Sequence, residues 1–166
     1  MLKLKPEDIK LDMGKEPSAL VSASFGSMIA IGILSSNWKH RESALSHILC
    51  SLIKPALQDC EGNDFDNAIK STCILIAETC QDKVVKVFSQ SIELFQFLIS
   101  SPILEEKGIE TFVRAVTDLD IVGKMLVKSE DGSGRSVGKV HDVLLDFSFH
   151  PGIGEGFAAS YLVSRI

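Results

Sequence analysis

No apolar run in this chain approaches the roughly 18 residues that a membrane-spanning helix needs. The opening Met1-Leu2-Lys3-Leu4-Lys5-Pro6 also lacks the apolar stretch of a secretory leader, so neither a membrane nor a secretory destination is expected. Aromatic residues other than phenylalanine are scarce, with a single tryptophan and a single tyrosine. The 4 cysteines (Cys50, Cys60, Cys73, Cys80) show no C-x-x-C spacing, and three of them lie in or beside apolar runs. They read as buried, reduced thiols, which points to a cytoplasmic or nuclear compartment. Strand signals are lacking too, since no hairpin dipeptide separates two alternating runs. A net charge of −5 leaves no general basic surface for nucleic-acid phosphates, so nucleic acid is not an expected partner.

What is present is ordinary globular material, 45% apolar and 23% charged over 166 residues. A domain of this length buries roughly 70% of its unfolded surface and needs neither metal nor disulfide to hold a core. Residues 1–16 are polar and lack a sustained period, and read as an N-terminal arm. From Pro17 the pattern turns helical, first through Leu20, Ala23, Met28 and Ile31 to Leu34, where Gly26 and Gly32 invite close helix approach. Further stripes follow at i, i+3, i+4 spacing: Arg41 to Ala56, Phe65 to Cys80, Val84 to Ile99, Phe112 to Leu126 and Val137 to Phe147. Phe157, Ala158, Tyr161 and Leu162 begin a seventh helix. Asn37 and Asp82 are expected to cap helices, Glu61-Gly62-Asn63-Asp64 offers another cap, and Ser100-Ser101-Pro102 ends a helix.

Three polar joints punctuate these stripes: Ser35 to Arg41, Cys80 to Lys86, and Glu130 to Arg135. Trp38, Lys83 and Arg135 lie 45 and 52 residues apart, and that near-period with a cation at each joint predicts stacked helical hairpins whose tips share one edge. The expected fold is an all-α, HEAT-like α-solenoid of about three repeats plus a terminal helix. A globular bundle of the same helices is the alternative architecture. The last helix lacks a clear stop, so the domain, taken as residues 17–166, is expected to be truncated at its C-terminal end.

Chemistry is sparse. His40 and His47 are seven apart with no carboxylate or cysteine at ligand spacing, so no metal site is expected. Gly132 to Val140 resembles a phosphate-binding loop only superficially, because the glycine spacing differs and no strand precedes it. Gly152, Gly154 and Gly156 follow no strand either, and no nucleophile–base pair stands in context. Neither a cofactor nor an enzyme is expected. Trp38 is a core anchor or a protruding one; its setting beside the joint, among Asn37, Lys39, His40 and Arg41, favours an interface anchor. Lys39, Arg41, Lys83, Lys86, Arg135 and Lys139 are either solvated helix ends or an aligned basic edge facing an acidic partner.

Trp38-Lys39-His40-Arg41-Glu42-Ser43-Ala44-Leu45 resembles the W-K-x-R-x-E-A-L signature of TOG (tumour-overexpressed-gene) domains. Asp82-Lys83-Val84-Val85-Lys86-Val87 resembles their second loop, with Val84 where asparagine is usual. Cys80 to Phe88 and Leu126 to Arg135 are also similar to two blocks in the TOG-like domain of the mitogen-activated protein kinase kinase kinase that carries SWIM and RING modules. The resemblance runs from about Leu34 to Phe147. It implies a HEAT-repeat array that binds the tubulin heterodimer through its hairpin loops, in the cytoplasm and on the cytoskeleton. By that implication Trp38 inserts as an apolar anchor, and Lys39, Arg41, Lys83, Lys86 and Arg135 face acidic tubulin surface. A monomer is expected. The rival reading is a helical-repeat scaffold that binds another protein through a helix face and regulates a kinase or ubiquitin-ligase parent.

Overall fold

The computed structural model describes residues 15–131, 134–154 and 157. The described residues form helices and short joints, with no strand among them. In chain order the helices are α1 (Lys15–Phe25), α2 (Ser27–Ile33), α3 (Trp38–His47), α4 (Ile53–Asp59), α5 (Gly62–Thr79), α6 (Val85–Ile99), α7 (Pro102–Lys107), α8 (Ile109–Asp118), α9 (Ile121–Asp131) and α10 (Gly134–Phe149). They make three consecutive hairpins in two layers. One layer stacks α1 on α5 and α5 on α8 and α9; the other stacks α3 on α6 and α6 on α10. Each hairpin is closed by its own pair, α2 with α3, α5 with α6, and α9 with α10. The joints therefore fall on one edge, and the links between hairpins on the other. The all-α solenoid read from the sequence is the observed architecture.

Several helices break where the period does not. The first stripe is split at Gly26, whose φ of 94° lies in the left-handed region that glycine alone adopts freely. Gly32, by contrast, serves close approach: a Cβ there would lie 3.2 Å from that of Ala44 on α3. Between α3 and α4 the chain widens into a π-helical turn, Ile48–Leu52. This reset puts Pro55 in the first turn of α4, where its missing amide costs little. The stripe from Phe112 to Leu126 is likewise two helices, parted at Asp120 with φ 51°. Pro102 both ends α6 and opens α7, a six-residue helix that no periodicity announced. No side chain caps α5 at Glu61, and Asp64 in its first turn supplies the favourable charge instead.

The core runs through all three hairpins. Phe95, Phe112 and Phe147 meet with ring centroids 5.6 to 6.0 Å apart, joining the second hairpin to the third. Phe157 adds an edge-on contact to Phe147 at 5.1 Å. The rest of the expected seventh helix, and the arm as far as residue 14, lie outside the described residues. Buried hydroxyls are paired: Thr79 Oγ1 lies 2.7 Å from the Leu75 carbonyl and 2.9 Å from Ser91 Oγ, and Ser24 Oγ meets Ser71 Oγ across α1 and α5 at 2.9 Å.

The cysteines divide in two. Cys73 and Cys80 are buried as expected, but Cys50 is exposed on the π-helical turn and Cys60 is half-buried at the end of α4. Burial pushes the Cys80 thiol up to about 12 and the Cys73 thiol higher still, because a thiolate there would lose its water. Thiol titration of the folded chain at mildly alkaline pH should label Cys50 first. Cys73 and Cys80 should react only after denaturation. Rapid modification of either in the folded chain would contradict this core.

Candidate functional site: the joint edge

The first joint is built around a helix start. Asn37 Oδ1 accepts the Lys39 amide at 3.1 Å, the expected cap, so Trp38 and Lys39 project from the first turn of α3. Behind them Ser35 Oγ accepts the Asn37 amide at 3.1 Å and lies 2.8 Å from Nδ1 of the buried His40. His40 thus braces the joint from inside.

The second joint is tied to the first through Arg41. Its Nε donates to Asp82 Oδ2 at 2.7 Å and its Nη2 to Asp82 Oδ1 at 3.1 Å, a two-pronged pair. Its Nη1 donates to the Ser35 carbonyl at 2.7 Å and to that of Ser36 at 3.2 Å. Asp82 Oδ1 also accepts the Val84 amide at 2.9 Å, capping α6 as expected. Both side chains of the pair are largely shielded, 18% and 8% exposed. Arg41 is therefore engaged within the edge by a shielded ion pair.

This clamp brings the two joints together at Trp38. The indole is half-buried against the core, with Lys39 Nζ 6.0 Å and Lys86 Nζ 5.8 Å from its ring centroid. Lys86 comes from α6, so a single aromatic ring is flanked by cations of successive hairpins. Lys83 is exposed in the second joint and Arg135 at the start of α10. Lys139 Nζ lies 3.1 Å from Ser89 Oγ on α6, which fixes the start of α10 beside that of α6. Lys83 and Arg135 thus share the edge with Trp38 without forming part of the cluster at its ring.

Two participants escaped the sequence pattern. Val85 opens α6 with 59% of its surface exposed, an apolar side chain beside Lys86 and outside the buried face of Val87 and Phe88. Gln81 Nε2 donates to the Lys124 carbonyl at 3.0 Å, tying the second joint to α9. From α3 a shallow groove of about 530 Å³ runs away from the edge past Glu42, Ser46 and His47. Its lining is polar and open, suited to surface contact and to no chemistry that excludes water. Among the described residues no three His, Cys, Asp or Glu side chains converge on a possible metal position.

Asp82→Ala should leave Arg41 shielded and unpaired and uncap α6, lowering stability by about 3 kcal/mol. A denaturant titration measures it. A loss under about 0.5 kcal/mol, the level of an exposed pair, would mean that the clamp does not hold the joints.

A family model described as centrosomal protein CEP104, TOG domain, matches residues 15–143. The structure of the TOG domain of human CEP104 is similar in fold, with a TM-score of 0.73 at 16% identity over 90% of this chain and 57% of that one. A further CEP104 TOG domain structure gives 0.64 at 18% identity over 83% and 53%. No curated protein is a match. The chain spans little more than half the length of these solved chains. Their low identity speaks for the fold alone, and the matches carry nothing on the expected kinship to the kinase. The family match covers most of the sequence, from α1 into α10, and includes all three joints: the chain belongs to the CEP104 TOG-domain family.

Proposed function

We propose that this chain is a non-enzymatic tubulin-binding module that engages the tubulin heterodimer through its joint edge. The observation that carries the reading is the convergence of Lys39 and Lys86 on the half-buried ring of Trp38. A rigid aromatic flanked by cations from two hairpins suits a partner that offers an apolar recess rimmed by carboxylates. Val85 extends the apolar contact, and Lys83 and Arg135 widen the basic edge. Arg41 acts in this reading as a positioning residue, holding both joints through Asp82. The remaining surface is acidic on balance, so attraction is confined to this edge and screened beyond about 8–10 Å in physiological salt. Membership of the TOG family supports the same partner and a cytoplasmic, cytoskeleton-associated setting. Kinship to the SWIM- and RING-bearing kinase, and with it a signalling role, is a finer proposal resting on the two sequence blocks alone.

Gel filtration of the chain with purified tubulin dimers, at low and moderate salt, tests the proposal. Co-elution that weakens with salt is expected. Trp38→Ala should cost about 2 kcal/mol of binding while leaving helicity intact. Absence of a complex at low salt would overturn the assignment for this chain, and a complex indifferent to Trp38→Ala would move the interface off the joint edge.

The paired change Lys83→Glu and Arg135→Glu should weaken binding and flatten its salt dependence. Unchanged binding would remove the electrostatic role of these two residues.

A further inference from the structure

We propose that the groove flanked by α1 and α8 is the seat of the N-terminal arm, which lays Ile9, Leu11 and Met13 over α5. The inference is independent of the tubulin reading, since Trp38 stands in the other helical layer. α1 and α8 each pack on α5, and all three line an open groove of about 210 Å³. Its floor and walls are apolar: Leu20 from α1, Ile74 from α5, Ala115 from α8, and Leu119 just past the end of α8. Leu20, Ile74 and Leu119 are only half-buried, so each leaves apolar surface towards the groove. The exposed rim mixes signs, with Lys70 and Arg114 against Asp118, and Arg114 is already held by Glu110 at 2.8 Å. A rim of that kind does not select a strongly charged partner.

The tether chooses the occupant. Residues 1–14 lie outside the described residues and lead directly into α1. Lys15 is five residues from Leu20, about 7.5 Å along the helix, so the arm leaves beside one wall of the groove. Gly14 supplies a residue on which the chain reverses at little steric cost. The five residues before it read Ile9-Lys10-Leu11-Asp12-Met13. Extended, that alternation sets the three apolar side chains on one side and both charges on the other. Its length of about 13 Å matches the roughly 12 Å of chain along α8 from Thr111 to Leu119. The apolar side chains then cover the groove, while Lys10 and Asp12 stay towards solvent and the mixed rim. With three lysines and three acids, the side chains of the whole arm bring no net charge to that rim. A tether this short gives an effective concentration in the millimolar range, which a free partner in dilute solution does not reach. Seated there, the arm straps α1 to α8 across α5. The family match begins at residue 15 and so assigns the arm no place.

Methyl-resolved NMR of the full chain is the test. Nuclear Overhauser contacts are expected from the methyls of Ile9, Leu11 and Met13 to those of Leu20, Ile74 and Leu119. Ile9→Ser with Leu11→Ser should abolish these contacts and shift the Leu20, Ile74 and Leu119 methyl signals, leaving the rest of the spectrum unchanged. Both substitutions precede the first helix, so the unchanged remainder separates release of the arm from loss of folding. The contacts should persist on about tenfold dilution, as an intramolecular seat requires. Arm methyls with random-coil shifts and no contact to the helices would overturn the proposal. Contacts to Leu57 and Ile103, which line a different apolar cavity beside α4 and α7, would overturn it by seating the arm elsewhere. Contacts that vanish on dilution would overturn it too, by placing the arm on a second copy.

Discussion

The bond between Arg41 and Asp82 is the constraint on which the joint edge depends. Three of its hydrogen-bonding relationships are structural at once: guanidinium to carboxylate, guanidinium to the Ser35 and Ser36 carbonyls, and carboxylate to the Val84 amide. A shielded ion pair repays its desolvation only when the remaining donors and acceptors are also satisfied, and this one meets that condition. Its effect is geometric. Without it α3 and α6 would still stack through their apolar faces, but the two loops would lose the ion pair that ties them. With it, Trp38 and Lys86 are presented as one surface although they lie in different hairpins.

Layered stacking explains why a recognition surface can sit on an edge at all. Burial is satisfied chiefly between layers and between hairpins, so the joints keep exposed positions, among them Lys39, Lys83 and Lys86. They can carry cations that a core would expel. Polar residues do enter the core, yet on local terms: Thr72 and Thr79 return their hydroxyls to carbonyls one turn earlier, and Ser91 joins Thr79 rather than stranding a donor. The fold therefore tolerates hydroxyls within α5 and α6 without needing water to satisfy them.

The architecture was legible because its signals are local and periodic. Stripes of apolar residues marked the helices, Asn37 and Asp82 marked two helix starts, and the recurring cationic joints marked the hairpins. Breaks that depend on a single backbone angle were not legible. Leu119 and Val122 continue the period of Phe112 straight through Asp120, and only the left-handed conformation there divides the helix. The same limit applies to the π-helical turn, which shifts the register by one residue and carries Cys50 to the surface. At the candidate site, residue types were readable but partnerships were not. Arg41 and Asp82 are 41 positions apart, and no spacing rule links them. By residue type Arg41 does not differ from the cations around it, and nothing in the pattern sets Val85 apart from Val84 and Val87.

The middle hairpin, α5 with α6, packs against both its neighbours, whereas the outer hairpins each pack chiefly against this one. In such a quasi-linear stack, cooperativity passes from unit to unit, and partial opening begins at the flanks. The Arg41 clamp lies across the boundary between the first unit and the middle one. Any ligand held jointly by Trp38 and Lys86 must therefore find that boundary closed, and its binding energy is drawn on to keep it closed. Occupancy of the edge and folding of the first hairpin are then one coupled equilibrium, so a bound partner protects a flank of the array and not only the edge it touches.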